Sequence, residues 1–100
     1  MDERVGIQPH PPRNGELVKV TYNGLLVQSG AEQVFLHMGY GNPWSGITDL
    51  PMQRAPEGWQ RIFPVQYGTK LNFCFKDGAG SWDNNNGQNW SVDINQHELD

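Results

Sequence analysis

Trp82 stands between the turn Asp77-Gly78-Ala79-Gly80 and the polar run Asp83-Asn84-Asn85-Asn86-Gly87-Gln88-Asn89. This stretch has the composition of a loop, with no helical pattern and too little apolar content for a strand. A large indole in a polar loop either plugs the loop against the core or presents a flat face to a ligand. Its neighbours are amides and a carboxylate, groups that hydrogen-bond neutral polyols well. Trp44 has a similar setting, after Gly39-Tyr40-Gly41-Asn42-Pro43. A pyranose ring carries C–H patches that stack on aromatic planes, and rim hydroxyls that suit Asn, Gln, Asp and His. Trp44 and Trp82 are therefore candidate stacking platforms. His37 is the candidate hydrogen-bonding partner or second platform.

Catalysis is hard to assemble from this chain. Glycosidic hydrolysis needs two carboxylates facing each other across a cleft. Asp77 and Asp83 are close in sequence, but in a Gly/Asn turn carboxylates more often cap backbone N–H groups. Nothing local pairs a Cys or Ser nucleophile with a base, and no catalytic residue is expected. Oxygen donors in the same loop raise the question of calcium. Their spacing does not match an EF-hand loop, so no metal site and no cofactor is expected.

The bulk numbers narrow the partners. One hundred residues make one domain. The net charge is −4, and the basic residues Arg4, Arg13, Lys19, Arg54, Arg61, Lys70 and Lys76 are scattered. Without a basic stripe to neutralise phosphates, nucleic acid is not an expected partner. No apolar run approaches the length of a membrane span, so no membrane partner is expected either. The lone Cys74 has no internal disulfide partner and reads as a small half-buried thiol in a strand. The polar N-terminus has no signal-peptide core, which predicts a cytoplasmic protein if the chain is complete, or a piece of a secreted one if it is not.

The elements that must hold the rings read as short strands. Residues 1–15, with Pro9, Pro11 and Pro12, suggest an extended N-terminal arm, with the folded domain covering 16–96. Leu17 to Tyr22 is rich in β-formers and is followed by the turn signal Asn23-Gly24. Leu25 to Gln28 is then either the return strand of a hairpin or a loop that packs one or two aliphatics. In the strand Glu32 to Met38, Val34, Leu36 and Met38 project to one side, Phe35 and His37 to the other. Residues 39–56 read as a long loop carrying Trp44. Trp59 to Val65, Lys70 to Lys76 and Trp90 to Ile94 are further strands, with Trp59 and Trp90 on the core side. The sum is an all-β antiparallel β-sandwich.

Taken in order, Val18-Lys19-Val20-Thr21-Tyr22, Val34-Phe35-Leu36-His37-Met38-Gly39-Tyr40 with Trp44, Met52, Trp59, Phe73-Cys74-Phe75-Lys76-Asp77-Gly78 and Trp82-Asp83-Asn84-Asn85 resemble the starch-binding carbohydrate-binding modules of families twenty-five and fifty-three. The Trp-Asp-Asn-Asn element after the Phe-x-Asp-Gly turn is the most specific part. The resemblance runs from about Glu16 to Ile94. It implies an immunoglobulin-like β-sandwich that binds α-1,4-glucan such as starch, glycogen or maltooligosaccharides without catalysis, beside a glucan-active enzyme. The family's sugar platform of two tryptophans and a histidine carries over to Trp44, Trp82 and His37. Asn84 and Asn85 match the motif's amides, which either bond hydroxyls or hold the loop in shape. Where the family usually has Asn, this chain has Lys76. The competing reading is a β-sandwich protein–protein interaction domain with Trp44 and Trp82 as anchors.

Overall fold

Alternating apolar residues decide how each strand packs. In the computed structural model, which describes residues 2–66 and 68–95, the inward set is Val18, Val20 and Tyr22 on β2 (Leu17–Tyr22) and Val34, Leu36 and Met38 on β3 (Val34–Tyr40). Leu71, Phe73 and Phe75 on β7 (Lys70–Asp77) join them, with Trp90 and Val92 on β9 (Trp90–Asp93). Trp59 and Phe63 come from β6 (Gly58–Pro64). These side chains fill the space between two sheets. One sheet has the order β1-β2-β6-β5, where β1 is Val5–Gln8 and β5 is Gln53–Ala55. The other runs β4-β3-β7, with β4 spanning Ser45–Pro51. All pairings between strands are antiparallel, which makes the molecule an antiparallel β-sandwich.

The far edge of the second sheet is a strand broken in two. β8 (Trp82–Asp83) pairs Asp83 with Phe75, while β9 pairs Trp90 with Phe73. Residues 84–89 therefore stand where a single residue opposite Cys74 would have continued the ladder. The Asn-rich run is an insertion that leaves the sheet and returns to it.

Five sequence expectations need correction. Order begins ahead of Glu16, because Val5 and Ile7 are buried and β1 pairs with β2 from Val5↔Tyr22 to Gln8↔Lys19. Two apolar residues at period two were enough to zip this segment onto an open edge. Leu25 to Gln28 is a single helical turn, α1 (Leu25–Gln28), which buries Leu26 and is neither strand nor loop. Residues 39–56 are not a long loop: a turn at 41–44 leads into the exposed edge strand β4, whose period-two pattern is masked because neither face is deeply buried. Trp82 belongs to a two-residue strand, held by its neighbour rather than by local propensity. Cys74 is also fully buried, more than its expected half. The predicted end of the domain at residue 96 lies outside the described residues.

Candidate functional site

Register fixes which side chains share the outer face of the second sheet. Antiparallel partners point the same way, so the pairs His37↔Asp49, His37↔Cys74, Phe35↔Lys76 and Lys76↔Trp82 place His37, Asp49, Cys74, Lys76 and Trp82 together. Alternation then explains the aim of Trp82. The preceding strand β7 sends Phe75 inward, and its partner Asp83 follows it into the sandwich. There the Tyr22 hydroxyl donates to Asp83 Oδ2 over 2.6 Å and accepts from the Leu26 backbone N–H at 3.0 Å. With Asp83 drawn in and only 6% exposed, Trp82 must face out, and it is 47% exposed.

Trp44 reaches the same face from the turn between β3 and β4. It lies over Gly39, where an added Cβ would stand 3.1 Å from both Cβ and Cε3 of Trp44. The missing side chain is what lets the indole settle on the strand. The imidazole of His37 sits between the two indoles, with ring centroids 5.9 Å from Trp44 at an interplanar angle of 35°. Trp82 is 5.1 Å away on the other side at 88°. The difference between those angles sets a lower bound of 53° on the inclination of the indole planes to each other. The residues picked from sequence as platforms and partner thus form one continuous arc, and Trp59 and Trp90 are core as expected.

The two asparagines serve the insertion. Asn85, Asn86 and Asn89 have φ of 56°, 56° and 59°, and Gly87 has φ of 88°, so the run passes repeatedly through left-handed backbone that asparagine and glycine tolerate best. Asn84 Oδ1 accepts from Gly87 N–H at 2.9 Å. Asn85 donates to the Asn89 carbonyl at 3.2 Å and accepts from Arg4 Nη2 at 3.0 Å. The expected N-terminal arm is thus a brace for this loop: Arg4 also bonds Asp2 at 2.8 Å, and Asp2 accepts from Trp90 Nε1 at 3.0 Å. The hydrogen bonds from Arg4 and then Trp90 hold the Asp2 carboxyl down at about 2. Asp77 caps its own turn, accepting from Ala79 and Ser81 N–H at 2.9 and 2.8 Å. Asp83 Oδ1 accepts from Asn85 N–H at 3.3 Å, so both loop carboxylates do the capping that the sequence suggested.

Sequence reasoning missed Asp49. Its Oδ1 lies 2.5 Å from His37 Nδ1 and its Oδ2 lies 2.6 Å from Lys76 Nζ, and that ammonium is 5.3 Å from the centre of the Trp82 ring. Burial works against the charge of this carboxylate, but hydrogen bonds from Lys76 and His37 outweigh it and hold its pKa below the ordinary value. The signal was the alternation Ile47-x-Asp49-x-Pro51, legible only once β4 is known to be a strand. Burial, helped by Asp49 and Asp83, pushes the Cys74 thiol up to about 11, which removes it as a nucleophile at neutral pH. Among the described residues no cluster of three or more His, Cys, Asp or Glu side chains could hold a metal ion.

An antiparallel sandwich whose outer face carries a ring cluster, with its nearby carboxylates tied up in turns and ion pairs, has the form of a binding module. The chain belongs to the family described as starch/carbohydrate-binding module (family 53), whose profile matches residues 18–73; such modules are non-catalytic. It is also similar to an alpha-amylase of Clostridium acetobutylicum, with 38% identity over 81 residues. That match covers 79% of this chain but only 10% of the amylase, so the chain spans about a tenth of the length of that relative. No solved structure matches the chain. No helix among the described residues is long and apolar enough to cross a membrane.

Proposed function

We propose that this module binds α-1,4-glucan, in the form of starch, glycogen or maltooligosaccharides, by stacking consecutive glucose rings on Trp44 and Trp82 while His37 bonds their hydroxyls. The observation that carries this reading is the inclination of two indoles, an exposed Trp82 and a partly buried Trp44, across one histidine. An α-1,4 chain twists from unit to unit, so successive rings cannot lie flat on one plane, and two inclined platforms suit it. A β-1,4 chain is flatter and suits coplanar platforms. In this reading Asn84 and Asn85 shape the loop that presents Trp82, supported by their hydrogen bonds to Gly87, Asn89 and Arg4. The module would accompany a glucan-active enzyme, a proposal supported by the likeness to the amylase.

Each stacked ring contributes on the order of 1–2 kcal/mol by analogy with bases stacked on aromatics. Two such contacts and a few hydrogen bonds, less the cost of association, give a dissociation constant of roughly micromolar to millimolar. Titration of the intrinsic tryptophan fluorescence with maltooligosaccharides, and separately with cello-oligosaccharides, tests the reading. Saturable change with the first series alone is expected. A folded sample that ignores the maltose series rejects it.

A further inference from the structure

Three strands deliver one connected set of charges beneath the rings. Asp49 from β4 binds His37 of β3 through Oδ1 and Lys76 of β7 through Oδ2. A carboxylate only accepts hydrogen bonds, so the imidazole nitrogen that faces it must carry a hydrogen. With Nδ1–H directed at Asp49, a neutral imidazole leaves Nε2 as a bare lone pair. In water an isolated histidine prefers the opposite tautomer, so the carboxylate reverses the natural choice. The same carboxylate neutralises Lys76 beside Trp82. A neutral polyol that covers this patch then desolvates a balanced pair rather than an isolated ammonium, which would be far more costly to cover.

We propose that Asp49 is the positioning residue of this site. It fixes His37 as the Nδ1–H tautomer and holds Lys76 against Trp82, so the rim of the platform offers one acceptor, His37 Nε2, and one donor, Lys76 Nζ. That pair matches two neighbouring hydroxyls of a single glucose unit, one donating to the imidazole and the next accepting from the ammonium. The assignment deepens the glucan reading and rests on it for the identity of the ligand. It also gives a use to Lys76, where the sequence departs from the pattern it otherwise resembles.

The test joins two measurements on the whole chain. Long-range proton–nitrogen correlation spectra, recorded at about pH 8.5, report the tautomer of His37, whose signals are those lost in His37→Gln. The expected result is Nδ1–H in the unsubstituted protein and a shift toward Nε2–H in Asp49→Ala. In parallel, maltotriose affinity should fall about five- to ten-fold in Asp49→Ala, the size of one or two lost polar contacts. Lys76→Met should fall by a similar factor with the His37 signals unmoved. Amide spectra of both variants should stay dispersed, since the replaced groups lie on the outer face. An Nε2–H tautomer in the unsubstituted protein, or unchanged maltotriose affinity in Asp49→Ala, overturns the proposal. A protein that shows Nδ1–H but binds no maltooligosaccharide defeats the glucan reading while supporting the Asp49–His37 assignment, so the two failures are told apart.

Discussion

The hydroxyl of Tyr22 on one sheet hydrogen-bonds Asp83 on the other, and this contact governs where Trp82 points. Tyr22 also stacks on Phe75, with centroids 4.1 Å apart. Desolvation, with the bond to Asp83, raises the phenol well above its ordinary pKa, so it stays a donor across the usual pH range. Tyr22→Phe keeps the stack but leaves the buried Asp83 side chain and the Leu26 N–H without this partner. We expect a loss of about 1.5–3 kcal/mol, and a melting temperature lower by roughly 10 °C for a domain of this size. A change within the error of calorimetry would mean that water replaces the hydroxyl.

Trp82 and Trp90 should separate binding from stability. Trp82→Ala removes a half-exposed ring that closes no core, so its melting temperature should stay within about 0.5–1 kcal/mol equivalent of the parent. Glucan retardation in affinity gels should fall at least about ten-fold. Trp90→Ala empties a site that is 5% exposed and should cost about 3–5 kcal/mol. Equal loss of retardation and stability in Trp82→Ala would contradict the placement of that ring.

Gly39→Ala probes the seat of Trp44. The new methyl would press on Trp44 and, at 3.3 Å, on Ile47. The exposed turn can yield, so the expected cost in stability is small, under about 1 kcal/mol. The indole must lift, and affinity for maltooligosaccharides should drop several-fold while cellohexaose remains unbound. Unchanged affinity would show that Trp44 is not part of the platform.

The brace at the N-terminus predicts a pH signature. Asp2 ionises at about 2 instead of its ordinary 3.8, so its ionised form is favoured by folding. A depressed carboxyl contributes stability that is complete above the ordinary value and vanishes as pH falls through the folded one. The melting temperatures of the parent and Asp2→Ala should therefore differ at about pH 6 and converge between pH 4 and 2. Parallel curves down to pH 2 would disprove the linkage.

Much of the architecture was legible because period-two alternation is strong wherever one face is buried. Leu71, Phe73 and Phe75 announce β7, and Val34, Leu36 and Met38 announce β3. The same rule failed for β4, where residues 45–49 are exposed on both faces and leave no contrast. The segment Val5–Gln8 was hidden by the prolines that follow it, although its two apolar residues do pair. Within the site, Trp44, Trp82 and His37 stood out by residue type and setting. Asp49 could not, because a carboxylate beside an aliphatic looks like any solvated surface position until its strand is placed opposite His37. The Asn run drew attention as possible sugar ligands, and its composition also answers a backbone need, the left-handed turns at Asn85, Asn86, Gly87 and Asn89.

The interrupted border of the second sheet has a consequence for behaviour in crowded conditions. A module that gathers on a polysaccharide brings many copies side by side, where a long straight margin of open amides would invite copies to add strands to one another. Here that margin offers only two residues, then an outward detour, then four more. A neighbouring chain finds no unbroken rail along this border, so the detour that displays Trp82 also blunts it against strand addition.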